Sequence, residues 1–173
     1  LTYEASEEVV AWVPVNTSGL FEQVGVLPGS PEDDVYFTVA RTISGGTQRF
    51  IEKLAKRTEC VGGTLSKTSD AHLVYQGVPT TTITAAHLAG RQVALWADGA
   101  PLAALITLDG SGIGTLPQAA SNVVIGLPYT ARFKTVKLAY VAEHGTALTL
   151  QKRISRIGIV AADLAWKGLR IGR

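Results

Sequence analysis

The chain has 173 residues, enough for one good core or two small ones; 46% of them are hydrophobic and only 17% charged, which excludes a disordered chain. The formal net charge of +2 hides an asymmetry: residues 1–34 carry seven acids and no Lys or Arg, whereas residues 151–173 carry six bases against Asp163 alone. The single cysteine, Cys60, excludes an internal disulfide and a cysteine-based metal cluster.

No apolar run reaches the roughly 20 residues of a membrane-spanning helix, and nothing reads as a signal peptide, so no membrane span is expected. Methionine is absent, position 1 included, which points to a chain taken from a longer polypeptide.

In chain order, residues 1–30 read as two short strands and a loop. Val9 to Val15 alternates, while Phe21, Val24 and Val26 favour a strand without strict alternation, and Pro28-Gly29-Ser30-Pro31 forces a turn. Asn16-Thr17-Ser18 matches a glycosylation acceptor but is read as turn chemistry. From Asp34 the period of two is clear, with Val35, Phe37 and Val39 on one face. Ser44-Gly45-Gly46 permits a hairpin whose return is Gln48 to Leu54, a segment that a helical stripe through Phe50, Ile51 and Leu54 would also suit.

Residues 58–70 are polar and rich in Gly, Ser and Thr, as a linker would be. Short strands are then expected at 71–76, 80–84, 91–97, 101–108, 113–116, 122–126 and 132–141, with turns at Gly77, Asp98-Gly99, Asp109-Gly110 and Pro128. That spacing argues for a small barrel or sandwich. The predicted organisation is all-β: a sheet over 1–57, a linker over 58–70, a small barrel-like domain over 71–145 and an extended basic arm over 146–173.

Catalytic, metal and cofactor signals are weak. His72, His87 and His144 share no metal-ligand spacing, and His87 is read as holding the turn from Ala85 to Gly90. Ser111 stands between glycines without the following helix of a nucleophile elbow, and the Gly110 to Gly114 run lacks the lysine of a phosphate loop. Asp98 and Asp109 each precede glycine, the expected composition of a tight turn, although paired carboxylates could also serve glycoside hydrolysis. Trp12, Trp96 and Trp166 suit core or interface positions, or a sugar-binding platform. The reading assigns no catalytic residue, no metal ligand and no cofactor.

The stretches LVYQGVPTTTITAAHLAGRQVALWADGAP and ASNVVIGLPYTARFKTVKLAY, with DDVYFTVARTISGGTQRFIEKLAKR upstream, resemble the C-terminal part of tail nozzle proteins of short-tailed phages. This family is also described as tubular-protein-B-like or packaged-DNA-stabilisation-like. The resemblance rests most on His87 to Gly90, on Ala97-Asp98-Gly99 and on Ile125-Gly126-Leu127-Pro128-Tyr129. It implies a propeller-type blade in the first segment and a structural, non-enzymatic role in the virion tail, assembled in the host cytoplasm. It further implies a ring of subunits, commonly six, that meets adaptor and fibre proteins and lets packaged double-stranded DNA leave. Lys152, Arg153, Arg156, Lys167 and Arg170 are the candidate contacts to DNA or to a neighbouring subunit, because phosphate contacts need Lys and Arg. A carbohydrate- or receptor-binding β module is the alternative from another class.

Overall fold

The computed structural model describes residues 2–4, 9–11, 14–60, 62–132, 141–142, 145–146 and 158–159. The chain divides into two units, Leu1–Pro128 and Tyr129–Arg173. In the second, the described structure is the antiparallel pair of β11 (Val141–Ala142) with β12 (Gly145–Thr146).

The first unit is built almost wholly of antiparallel strands, which fixes the class as all-β. A small pair joins β1 (Thr2–Glu4) to β2 (Val9–Ala11). A meander of β3 (Leu20–Leu27), β4 (Asp34–Ile43) and β5 (Gly46–Lys53) forms a three-stranded sheet in that order. The second sheet holds β6 (Asp70–Thr84), β7 (Gln92–Ala97), β8 (Ala100–Pro101), β9 (Ile106–Thr107) and β10 (Ile113–Leu127). Its order is β6-β10-β7-β8, with β9 also paired to β7. The only helical pieces among the described residues are single 3₁₀ turns at Arg57–Glu59 and Ala86–Leu88.

The β4–β5 hairpin forms as expected, and the helical alternative for residues 48–54 does not. Ser44 and Gly45 both have positive φ, 49° and 82°, as a two-residue hairpin loop between Ile43 and Gly46 requires. Strand β3 explains its own imperfect alternation. A bulge between Phe21 and Gln23 inserts Glu22, after which Phe21, Val24 and Val26 stand opposite Val39, Phe37 and Val35, all on one face. The rings of Phe21 and Phe37 lie 4.9 Å apart there.

In the second sheet two expected breaks are absent. Residues 71–76 and 80–84 belong to one strand, β6, and residues 113–116 and 122–126 to another, β10. The turn expected at Gly77 is a bulge instead, because the register jumps from Gln76↔Asn122 to Thr80↔Ala120 and then to Thr82↔Thr115. Pro79 and Pro117 fall inside these irregular stretches, where a missing backbone N–H costs no ladder bond. The single strand expected over 101–108 is two short ones, β8 and β9, separated by residues 102–105. Most of the strand expected over 132–141 lies outside the described residues.

The core gathers around β10, the central strand. Ala120, Val123, Val124, Ile125 and Leu127 are buried on it, giving the unbroken apolar run of a strand covered on both faces. Ile83, Leu88, Val93, Leu95, Leu108 and Leu116 complete the cluster. Gly126 is required here by close approach: a Cβ would run into the Ser69 side chain and lie 2.7 Å from the Asp70 carbonyl.

Candidate assembly surface

The residues that could carry chemistry hold turns. Asp98 has φ +45° and Gly99 +91°, closing the β7–β8 hairpin, and the Asp98 carboxylate accepts from the Asn122 and Ser121 amides and from the Asn122 side chain. These bonds, the Asn122 side chain first, hold its carboxyl below the ordinary range. Asp109 does the same one turn on, accepting from the Ile113 and Ser111 amides at 2.8 Å each, and its carboxyl is lowered for that reason. Asp109 thus forms an Asx turn with the amides of its own loop, whereas Asp98 ties the β7–β8 hairpin to β10.

His87 sits on the second 3₁₀ turn, with Nε2 2.7 Å from the Ala71 carbonyl and its ring 5.9 Å from that of Phe50 on β5. It therefore touches both sheets of this unit. Gly90 has φ +71° and its N–H donates to the Asp109 carbonyl. Pro128 follows the last residue of β10, and Tyr129 is exposed. Trp96 donates its indole N–H to the Gly63 carbonyl at 2.8 Å, while Trp12 and Trp166 lie outside the described residues. Cys60 Sγ lies 3.1 Å from the Lys67 carbonyl, and burial pushes the thiol up, away from the reactive thiolate. Among the described residues no group of three His, Cys, Asp or Glu side chains could hold a metal ion, and no helix is long and apolar enough to cross a membrane. Lys152, Arg153, Arg156, Lys167 and Arg170 lie outside the described residues.

Sequence reading missed Arg41. It is 3% exposed on β4, and its guanidinium forks onto Glu52 at 2.8 and 2.7 Å while also donating to the Ser18 carbonyl and to Thr17 Oγ1. Thr17 in turn donates to Asp70 at the start of β6. A lone Arg in an alternating strand gives no sign of this; the signal lies in Glu52, which is far from it in sequence and near it only through the hairpin.

Several large apolar side chains are exposed among the described residues. No family model matches the chain, and no curated protein matches it in sequence. The surface must then be read from its own chemistry. Ile51 on β5 is 80% exposed, and Val78 on the edge strand β6 is 79% exposed. Leu20, Val24, Val26 and Leu27 are exposed along β3, an edge strand of the first sheet. Single exposed apolar residues are ordinary, but several on edge strands mark places where another chain could pair.

His72 is expected to give this unit a pH response. Burial holds its imidazole below the ordinary value of 6.5. The folded state therefore favours the neutral ring, so its contribution is complete above about pH 6.5 and is lost as pH falls from there through the folded value. The thermal midpoint is expected to drop between pH 7 and 5, and His72→Gln is expected to flatten that drop; an unchanged slope in the variant would remove His72 as the cause.

Proposed function

We propose that the chain is a structural, non-enzymatic module from the C-terminal part of a short-tailed phage tail nozzle, assembling as a ring, commonly of six, around the channel through which packaged DNA leaves. In this reading the β3–β5 sheet is part of a propeller-type blade and the β6–β10 sheet belongs to a small barrel-like domain. The protein resides in the virion tail beside adaptor and fibre proteins. Lys152, Arg153 and Arg156 face the channel or a neighbouring subunit.

The observation that supports assembly is the uncovered apolar surface at separate places, Ile51 on one sheet and Val78 on the other. A cyclic ring needs two different complementary patches per chain, and a lone apolar pocket would not supply them. The two Asp carboxylates weighed for a hydrolase cap backbone amides, Asp109 in its own turn and Asp98 on β10, which favours a scaffold over a catalyst. The phage assignment itself rests on the resemblance of the quoted stretches.

The test is the mass and shape of the native particle, by light scattering and electron microscopy. A closed ring of several copies is the expected result, with charge reversal of Lys152, Arg153 and Arg156 weakening either ring assembly or DNA retention. A native particle holding one copy overturns the reading.

A further inference from the structure

We propose that β3 pairs antiparallel with the β3 of a second copy of this chain, about a two-fold axis at Gly25. This contact does not rest on the tail reading: a ring uses two unlike patches, whereas this one is a single self-complementary patch.

Three features of β3 carry it. Among the described residues the strand is an edge, with exposed apolar side chains on both faces, Val24 at 64% and Val26 at 56% on one, Leu20 and Leu27 on the other. Natural edges are guarded by charge or proline, and the one charge here is withdrawn: Glu22, displaced by the bulge, reaches back across β4 to Arg49 on β5 at 2.8 and 3.1 Å. The outer edge thus presents no net charge, and two copies meet without repulsion.

Gly25 is the third feature. A glycine inside a strand weakens it by roughly 0.5–1 kcal/mol relative to alanine. Its φ is not positive, and a Cβ built on it meets nothing within 4 Å, so nothing among the described residues requires glycine there. Interior strand glycines mark bulges, tight bends or the close approach of a ligand or another backbone.

The register follows from the faces. A two-fold axis normal to the sheet keeps each face on its own side, so residues on one face must meet their own kind. Centring the pair on Gly25 sets Val24 against Val26 of the second copy, Val26 against Val24, and Gln23 against Leu27, and each of these pairs lies on one face. Moving the axis to Val24 or Val26 would keep one Val–Val pair in place of two and set Gln23 or Leu27 against Gly25. A contact of one short strand falls at the low end of specific interfaces, below about 1,200 Å², so the dimer is expected to be weak, on the order of 10–100 µM.

The experiment places a cysteine on the axis. In a Cys60→Ser background, Gly25→Cys brings two thiols to directly opposed positions, about 4.5–5.5 Å apart at Cα, within disulfide reach. Diamide takes up the two protons and two electrons as the S–S bond forms. A disulfide-linked dimer of folded chains from Gly25→Cys, with at least tenfold less from Gln23→Cys, is the expected result. Equal cross-linking at both positions, or none at Gly25→Cys, overturns the proposal, and so does a ring whose chains do not cross-link there. A charge exchange gives an independent check by sedimentation equilibrium: Val24→Glu and Val26→Lys each weaken the dimer about tenfold, and the double variant, which sets carboxylate against ammonium, recovers it. A double variant no tighter than the singles overturns the register. A particle that is dimeric and never a ring would support this contact while overturning the tail assignment.

Discussion

Replacing Arg41 by methionine is expected to cost about 3 kcal/mol of folding stability. The side chain is almost wholly buried and all of its bonds are short, with two to the Glu52 carboxylate, one to the Ser18 carbonyl and one to Thr17 Oγ1. Methionine would keep much of the packing while stranding those acceptors, and leaving the half-buried Glu52 and Thr17 oxygens unpaired costs more than the net worth of the bonds themselves. Glu52 retains some exposure, at 22%, which allows water to recover part of the loss and keeps the figure near the lower end for a broken buried pair. Arg41→Lys is expected to recover little, because an ammonium cannot reproduce the planar fork. Denaturant unfolding measures the effect, and adding Glu52→Gln should cost less than the sum of the two single changes. A loss below about 0.5 kcal/mol for Arg41→Met, the range of an ordinary surface change, would show that the network is not structural.

Gly112→Ala is expected to cost a similar amount, about 3 kcal/mol, for a purely steric reason. Gly112 has φ +80°, and an added Cβ would lie 2.5 Å from the Ala85 carbonyl oxygen and 2.6 Å from Ala86 Cα. Both are backbone atoms that cannot swing away. Gly112 also accepts from the Ala85 N–H and donates to the Asp109 carbonyl, so any shift breaks the seam between the β9–β10 turn and the 3₁₀ turn that buries Leu88. Gly110, two residues earlier in the same turn, has open space around its Cα and no positive φ. Gly110→Ala is therefore expected to stay within about 0.5 kcal/mol of the parent. Equal effects at the two positions would contradict the geometry.

The turns were the most legible part of the sequence. Ser44-Gly45 and Asp98-Gly99 close hairpins because few other residues accept two consecutive positive φ angles, and that demand is local. Strand lengths were not legible around proline and glycine. Gly77, Pro79 and Pro117 carry the composition of turns, yet a bulged antiparallel pair accommodates them because the unpaired positions ask for no N–H. Only the partner strand decides between a bulge and a turn, and for β6 that partner lies some 40 residues downstream. The glycine–serine segment before β6 gave no sign of its anchoring, where Ser66 is buried and Lys67 pairs with Glu59. Arg41 was invisible for the same reason as the bulges: its partners are assembled by the fold. The carboxylates of Asp98 and Asp109 were readable as turn formers, and the structure adds which amides they cap.

The order of strands in the second sheet has a consequence for how the chain is made. Strands β6 and β7 do not pair with each other; each pairs with β10, which is the last of them to be synthesised. During translation the β3–β4–β5 meander can close as soon as its third strand emerges, since all its pairings are between neighbours. Strand β6 must wait for its partner until residue 127 has left the ribosome, although β7 can already pair with β8 and β9. The pairing of β6 carries the loop-closure entropy of a distant partner, which slows folding and lengthens the exposure of unpaired edges. Nascent chains arrested before Ile113 should consequently protect the first sheet from proteolysis and leave β6 open, whatever the stability of the finished protein.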